Sequence, residues 1–164
     1  EKYTNYRGGP FRPGLTAVTA HVGMGMDVGA TPDGRLAETA LAGGISPVPG
    51  TDKEGPTAAT KSVSKLDFER YGKAMILNQT ISPSVLESEK GLRKFIDLIR
   101  TYFDLGGMHI QFNIISVDTL RDAQKNPQEY QNLVVRVAGY SALFVGLSPR
   151  VQDQIIARTE HGNI

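Results

Sequence analysis

The chain has 164 residues, enough for one compact domain, and its 18 Lys and Arg against 17 Asp and Glu leave a formal charge of +1. The basic residues are spread along the chain, so nothing marks a surface for nucleic acid or anionic membrane, and a small-molecule role is favoured. With no cysteine, disulfides, thiolate metal sites, iron–sulfur ligation and a cysteine nucleophile are excluded from within this chain.

The chain opens at Glu1 without a methionine and runs into Tyr3-Thr4-Asn5-Tyr6-Arg7-Gly8-Gly9-Pro10, which reads as a cut rather than a beginning. These first residues are charged, polar and glycine-rich, and no apolar run reaches membrane-spanning length, so the expected location is cytoplasmic. Leu15 to Val22, with Thr16, Val18, Thr19 and Val22 among small residues, predicts a short strand. From Gly23 to Pro56, Gly, Pro, Asp and Thr recur every few residues. Such a stretch seldom stands alone in a small domain and is expected to lie against other protein. Within it Ala30-Thr31-Pro32-Asp33-Gly34-Arg35 predicts a turn. Pro56 suits the first position of a helix running to about Asp67, with Ala58, Ala59, Val63 and Leu66 as its buried stripe.

The strongest helical pattern lies between Pro83 and Leu105, where Leu92, Phe95, Ile96, Ile99 and Phe103 share one apolar face. Ser84 and Glu87 resemble a capping box, Gly91 weakens the first turns, and Gly106-Gly107 supplies a stop. Met108 to Ile115 predicts a strand, and Asp118 a cap for a short helix through Gln124. Asn126-Pro127-Gln128-Glu129 reads as a further helix start. Leu133-Val134-Val135-Arg136-Val137 is a β-branched run suited to a buried strand that ends at Ala138-Gly139. Ser148-Pro149 opens a terminal helix with Val151, Ile155 and Ile156 on its inner face. The alternation of strand and helix gives an α/β class, more like the closing segments of a larger barrel than a complete doubly wound sheet.

Three familiar chemistries lack support. Gly50-Thr51-Asp52-Lys53-Glu54-Gly55-Pro56-Thr57 spaces two glycines like a phosphate loop, but Pro56 stands where the lysine should reach the phosphates. His21, His109 and His161 have no metal-ligand spacing, and there is no Gly-x-Ser-x-Gly elbow. Arg136-Val137-Ala138-Gly139-Tyr140-Ser141-Ala142 differs, because one chemistry open to it depends on glycine specifically. A backbone radical is stabilised when Cα flattens and shares the electron with the adjoining amide nitrogen and carbonyl; glycine has no Cβ to crowd that geometry. Apolar flanks are expected to bury it. In an arbitrary Ala-Gly-Tyr tripeptide, a glycine simply ending a strand is the commoner meaning.

The whole chain reverses that balance, because it resembles the glycyl radical enzymes, the pyruvate formate-lyase-like family, along nearly all its length. Arg136-Val137-Ala138-Gly139-Tyr140 matches the family's radical motif, and Gly106-Gly107-Met108-His109-Ile110-Gln111-Phe112-Asn113 matches the strand segment before it. Gly29-Ala30-Thr31-Pro32-Asp33-Gly34-Arg35, Gly44-Ile45-Ser46-Pro47 and Gly50 through Ala58 look like its loop segments, and Ser148 through Thr159 like its final helix.

The resemblance implies the C-terminal segment of a ten-stranded α/β barrel, with residues 1–107 as barrel scaffold and 108–164 as the glycyl radical domain. It implies Gly139 as the radical store, with no cofactor bound by this chain. The radical is installed by a radical S-adenosylmethionine activase with an iron–sulfur cluster and passed to a cysteine. That cysteine, and with it its acidic companion, must come from another segment, since this chain has no cysteine. The implied partners are that remainder of the enzyme, the activase, a small-molecule substrate and a second copy in a homodimer, with no nucleic acid or membrane. The pattern is nearer to the glycerol or diol dehydratase, arylacetate decarboxylase and aryl- or alkylsuccinate synthase group than to pyruvate formate-lyase itself, and a dehydratase is expected first. A small autonomous replacement radical subunit is the non-catalytic alternative.

Overall fold

The computed structural model describes residues 3–11, 14–71 and 75–164; Glu1, where the sequence reads as a cut, lies outside them. No helix among the described residues is long and apolar enough to cross a membrane.

Residues Ala20–Asp27 form helix α1, where a strand over Leu15 to Val22 was expected. The reversal comes just before it, at Val18, whose φ of 49 breaks any extended path. The helix then buries His21 and Val22, and the His21 carbonyl accepts the Leu41 N–H at 3.0 Å. The turn at Ala30 to Arg35 forms as expected, closed by Gly34 N–H to the Thr31 carbonyl at 3.0 Å. Helix α2 (Pro56–Val63) begins at Pro56 and buries Ala59 and Val63; it stops short of Asp67, Ala58 faces outward, and a single turn, α3 (Phe68–Tyr71), follows.

Strand β1 (Leu77–Ile81) leads into a 3-10 turn (Pro83–Leu86) and then helix α4 (Glu89–Asp104). The pattern from Pro83 to Leu105 therefore divides in two, and the cap is Ser88, whose hydroxyl accepts the Gly91 N–H at 3.0 Å, not Ser84. Gly91 is required, because a Cβ there would lie 1.7 Å from the Val85 carbonyl oxygen of the preceding turn. The α4 side chains buried within this chain are Leu98 and Tyr102. Of the expected apolar face, Phe95 packs edge-on against Phe112, while Leu92, Ile96 and Phe103 are 45%, 38% and 48% exposed.

Strand β2 (Ile110–Ile114) is followed by helix α5 (Val117–Lys125), capped by Ser116, whose hydroxyl accepts the Thr119 N–H at 3.1 Å; Asp118 lies inside the first turn. Pro127–Glu129 is one 3-10 turn rather than a helix, and Asn126 donates back to Asp122 instead of capping it. Strands β3 (Val134–Arg136) and β4 (Ser141–Leu143) form an antiparallel hairpin with Gly139 in its turn. Helix α6 (Pro149–Ile156) and strand β5 (Glu160–His161) complete the chain.

Strands β1, β2 and β5 form one parallel sheet in the order β2-β1-β5, and β3-β4 form a separate sheet. In the β1–β2 register Asn78 faces Gln111 and Thr80 faces Asn113. Alternation along each strand then gives the sheet two unlike faces. One carries Leu77, Gln79 and Ile81 with Ile110 and Phe112; there Leu77 joins Phe68, Met75 and Tyr102 in an apolar cluster. The other presents the four polar side chains. A second cluster, Leu120, Ala123, Val135, Val137, Phe144 and Ile155, joins α5 and α6 to the hairpin. The class is mixed α/β with a parallel sheet, which among the described residues has three strands.

Candidate functional site

The polar face of the sheet meets the β3–β4 turn through side chains that β1 and β2 supply. Asn113 Nδ2 donates to the Arg136 carbonyl at 2.9 Å, and Asn113 Oδ1 accepts the Arg136 N–H at 2.8 Å. Two residues earlier on the same face, Gln111 Oε1 accepts the Gly139 N–H at 3.1 Å and Arg136 Nη2 at 2.9 Å. Gln111 Nε2 donates to Asn78 Oδ1. Asn78 in turn gives its backbone N–H to Ser46 Oγ at 2.8 Å and its side-chain Nδ2 to the same oxygen at 3.3 Å. A polar chain thus runs from the Gly44 to Pro47 loop through both strands to Gly139. Asn78, Gln111 and Asn113 are all buried, and hydrogen bonding offsets the cost of removing them from water.

The same segment is also held by Arg158, just beyond α6. Its guanidinium donates to the carbonyls of Arg136 (3.1 Å) and Val137 (2.8 Å) and to Gln154 Oε1 (3.1 Å). Burial pushes the Arg158 pKa down to about 10, which still leaves the side chain charged near neutral pH. Burial also lowers the pKa of nearby His21, and the Arg158 charge adds to the effect, which favours the neutral imidazole.

Gly139 sits at the tip with φ +80, a left-handed conformation that glycine adopts without penalty. Among the described residues, a Cβ built there would meet only the flexible end of the Ile76 side chain, at 2.9 Å. Taken by itself, this chain leaves Gly139 and Tyr140 exposed, while the apolar residues just before them, Val137 and Ala138, are buried. Val135 and Val137 enter the second cluster, whereas Val134 and Leu143 face outward.

The other segments singled out in the sequence have internal roles. Arg35 is buried and gathers the carbonyls of Val28, Gly29, Leu36 and Thr39, fixing the loop around it. In the Gly50 to Ala58 segment, Asp52 accepts from the Thr159 hydroxyl, and its Oδ2 lies 3.1 Å from His161 Nε2. Burial raises the Asp52 pKa, but the His161 ring and the Thr159 hydroxyl outweigh it and hold the carboxyl below its ordinary value. Among the described residues no three His, Cys, Asp or Glu side chains are grouped so as to hold a metal. A cavity of about 590 Å³ opens between α1, the loops through Thr51 and α6; Gly139 and Gln111 do not line it.

The sequence placed Gly139 and the segment bearing Gln111 and Asn113, but it missed β1, Arg158 and the chain of contacts from Ser46. Those contacts join residues far apart in sequence, and one strand register, Asn78 beside Gln111, was the signal that could have revealed them.

The chain belongs to the glycine radical family, whose model matches residues 41–145 and so includes β1, β2 and the Gly139 turn. It is 51% identical over 155 residues to the probable dehydratase YbiW of Escherichia coli (strain K12), covering 94% of this chain and 19% of that protein. It is 46% identical over 159 residues to the indoleacetate decarboxylase of Tractidigestivibacter scatoligenes, covering 96% of this chain and 18% of that one. The glycerol-bound B12-independent glycerol dehydratase from Clostridium butyricum superposes with a TM-score of 0.92 at 52% identity, over 98% of this chain and 20% of that one. The chain therefore spans about a fifth of the length of the proteins it matches.

Proposed function

We propose that this chain is the radical-bearing C-terminal portion of a glycyl radical dehydratase acting on a diol or glycerol-type substrate, with Gly139 storing the unpaired electron. The observation that carries this reading is the Gly139 turn itself. It is a glycine with φ +80, anchored by its own N–H to buried Gln111 and, through Arg136 and Val137 before it, to Asn113 and Arg158. A left-handed turn is a place that glycine fills without strain, and the anchors suit a residue that must keep a fixed place.

In this reading residues 1–107 belong to the scaffold of a ten-stranded barrel, and 108–164 form the radical domain. An activase with S-adenosylmethionine and an iron–sulfur cluster removes one hydrogen from Gly139. The radical then takes a hydrogen atom from a cysteine thiol supplied by another segment. The resulting thiyl group abstracts a substrate hydrogen, water leaves the substrate radical, and the hydrogen returns. This chain holds the radical carbon in position and keeps competing chemistry away from it. The dehydratases named above are more similar to this chain than the decarboxylase is, which favours dehydration; arylacetate decarboxylation is the second reading, favoured by the indoleacetate enzyme.

The test is anaerobic incubation of the complete enzyme with activase, reductant and S-adenosylmethionine, with glycine deuterated at the α-position. The radical doublet should collapse to a narrow line on deuteration, and glycerol or a 1,2-diol should be dehydrated. A signal unaffected by deuteration would overturn the assignment of the radical, and turnover of an arylacetate but no diol would move the chemistry to the second reading.

A further inference from the structure

Resting on the reading of Gly139 as the radical residue, we propose that Gln111 is a positioning residue for the radical, whose side-chain oxygen holds and polarises the Gly139 amide N–H. A radical at Cα is stabilised partly by electron donation from the adjoining amide nitrogen, and an acceptor on that N–H increases the nitrogen's electron density. Gln111 Oε1 stands at 3.1 Å from the Gly139 nitrogen, within ordinary hydrogen-bond range.

The side-chain amide is fixed in this orientation. Its oxygen faces two donors, the Gly139 N–H and Arg136 Nη2, and its nitrogen faces the Asn78 oxygen. Reversal would set its NH2 against both donors and its oxygen against an acceptor, leaving buried groups unsatisfied. Arg136 draws density from the same oxygen and so moderates the effect on Gly139.

The backbone gives the anchor a second consequence. At φ +80 the Gly139 Cα–C bond stands nearly perpendicular to the preceding amide plane. Sharing the electron with both amides needs these groups brought toward one plane, hence a rotation about N–Cα. With the nitrogen pinned by Gln111, the carbonyl side toward Tyr140 is the side that turns.

The test uses the complete activated enzyme with nitrogen-15 glycine. Gln111→Met keeps the side chain's length and removes the acceptor; Gln111→Glu keeps an oxygen acceptor. The Met variant should give about fivefold less radical per chain at limiting activase, in proportion to one lost hydrogen bond, together with a changed nitrogen coupling. The Glu variant should restore both, with the Asn78 amide reversed so that its nitrogen meets the carboxylate and its oxygen accepts from the Ser46 hydroxyl. Wild-type yield and coupling in the Met variant overturn the inference while leaving the Gly139 assignment in place. Should the Met variant fold poorly, wild-type enzyme labelled with carbon-13 in the glutamine side-chain carbonyl decides: one coupled carbon in electron–nuclear double resonance is expected, and none overturns the inference. A wild-type radical located on another residue removes the Gly139 reading itself, and this inference with it.

Discussion

One side chain, Asn113, satisfies both backbone polar groups of Arg136, donating to its carbonyl at 2.9 Å and accepting from its N–H at 2.8 Å. The strand leading to Gly139 is thereby held by an amide that imitates a neighbouring strand. Asn113→Ala should destabilise the protein by about 2 kcal/mol, since two hydrogen bonds are lost and the Arg136 N–H loses its partner, while the Arg136 carbonyl keeps Arg158. Asn113→Asp should be at least as harmful, because its carboxylate confronts the Arg136 carbonyl. Thermal denaturation of the three proteins checks the order, and equal melting temperatures for wild type and the Ala variant would contradict it.

Arg158 also ties that strand. Arg158→Met should cost about 3 kcal/mol, as buried carbonyls lose charge-assisted donors. The loss should be local, so hydrogen exchange at residues 134–141 should accelerate more than in β1. Uniform acceleration across both regions would instead assign Arg158 a general packing role.

Gly139→Ala should leave the fold in place, because the only near neighbour among the described residues is the flexible end of Ile76, at 2.9 Å, and the left-handed conformation costs a non-glycine residue about 1 to 2 kcal/mol. The variant should form no glycine-type radical under activation. Activated wild type exposed to air should break its backbone at Gly139, as oxygen adds to the carbon radical. Mass mapping of both samples tests this, and cleavage that persists in the variant would place the radical elsewhere.

The exposed face of α4 gives a prediction about the chain alone. Leu92, Ile96 and Phe103 leave apolar surface uncovered, and the isolated 164-residue polypeptide should self-associate. Ile96→Glu should reduce the association. Size-exclusion chromatography of the two forms decides; a well-packed monomer of the unaltered fragment would show that this face needs no cover.

Asp52 predicts an acid limit. Its folded-state pKa lies below the ordinary value, so its carboxylate contributes stability that is fully present above about pH 3.9 and is lost as pH falls through the lowered value. Asp52→Asn should therefore be less stable than wild type near neutral pH, with the gap narrowing in strongly acidic solution. Denaturation midpoints across pH test the sign, and a gap that widens on acidification would reverse the argument.

Why some of this was readable in the sequence and some was not follows from where each residue finds its partners. Helix α4 is written in local periodicity, but its start was misplaced because the 3-10 turn before it carries an equally good cap pattern at Ser84. Strand β1 escaped notice because Asn78, Gln79 and Thr80 make its interior polar. They are buried regardless, Gln79 donating to the Pro56 carbonyl and the Thr60 hydroxyl and Asn78 meeting Gln111 and Ser46. Gly139 stood out because its motif demands glycine. Gln111 and Arg158 did not, since their contacts with the turn span 28 and 21 positions and no local pattern reports them.

Among the described residues no strand pairing joins the β3–β4 hairpin to the three-stranded sheet; side chains of Gln111, Asn113 and Arg158 make the connection. A fastening of this kind differs in kinetics from a continuous ladder. Backbone pairing unzips step by step and leaves an open edge, whereas a few side-chain contacts can release together and each half keeps its own internal ladder. The hairpin, with α5 and α6 packed on it, thus meets the three-stranded sheet through side chains and not through a shared ladder, so losing those contacts would dismantle neither sheet.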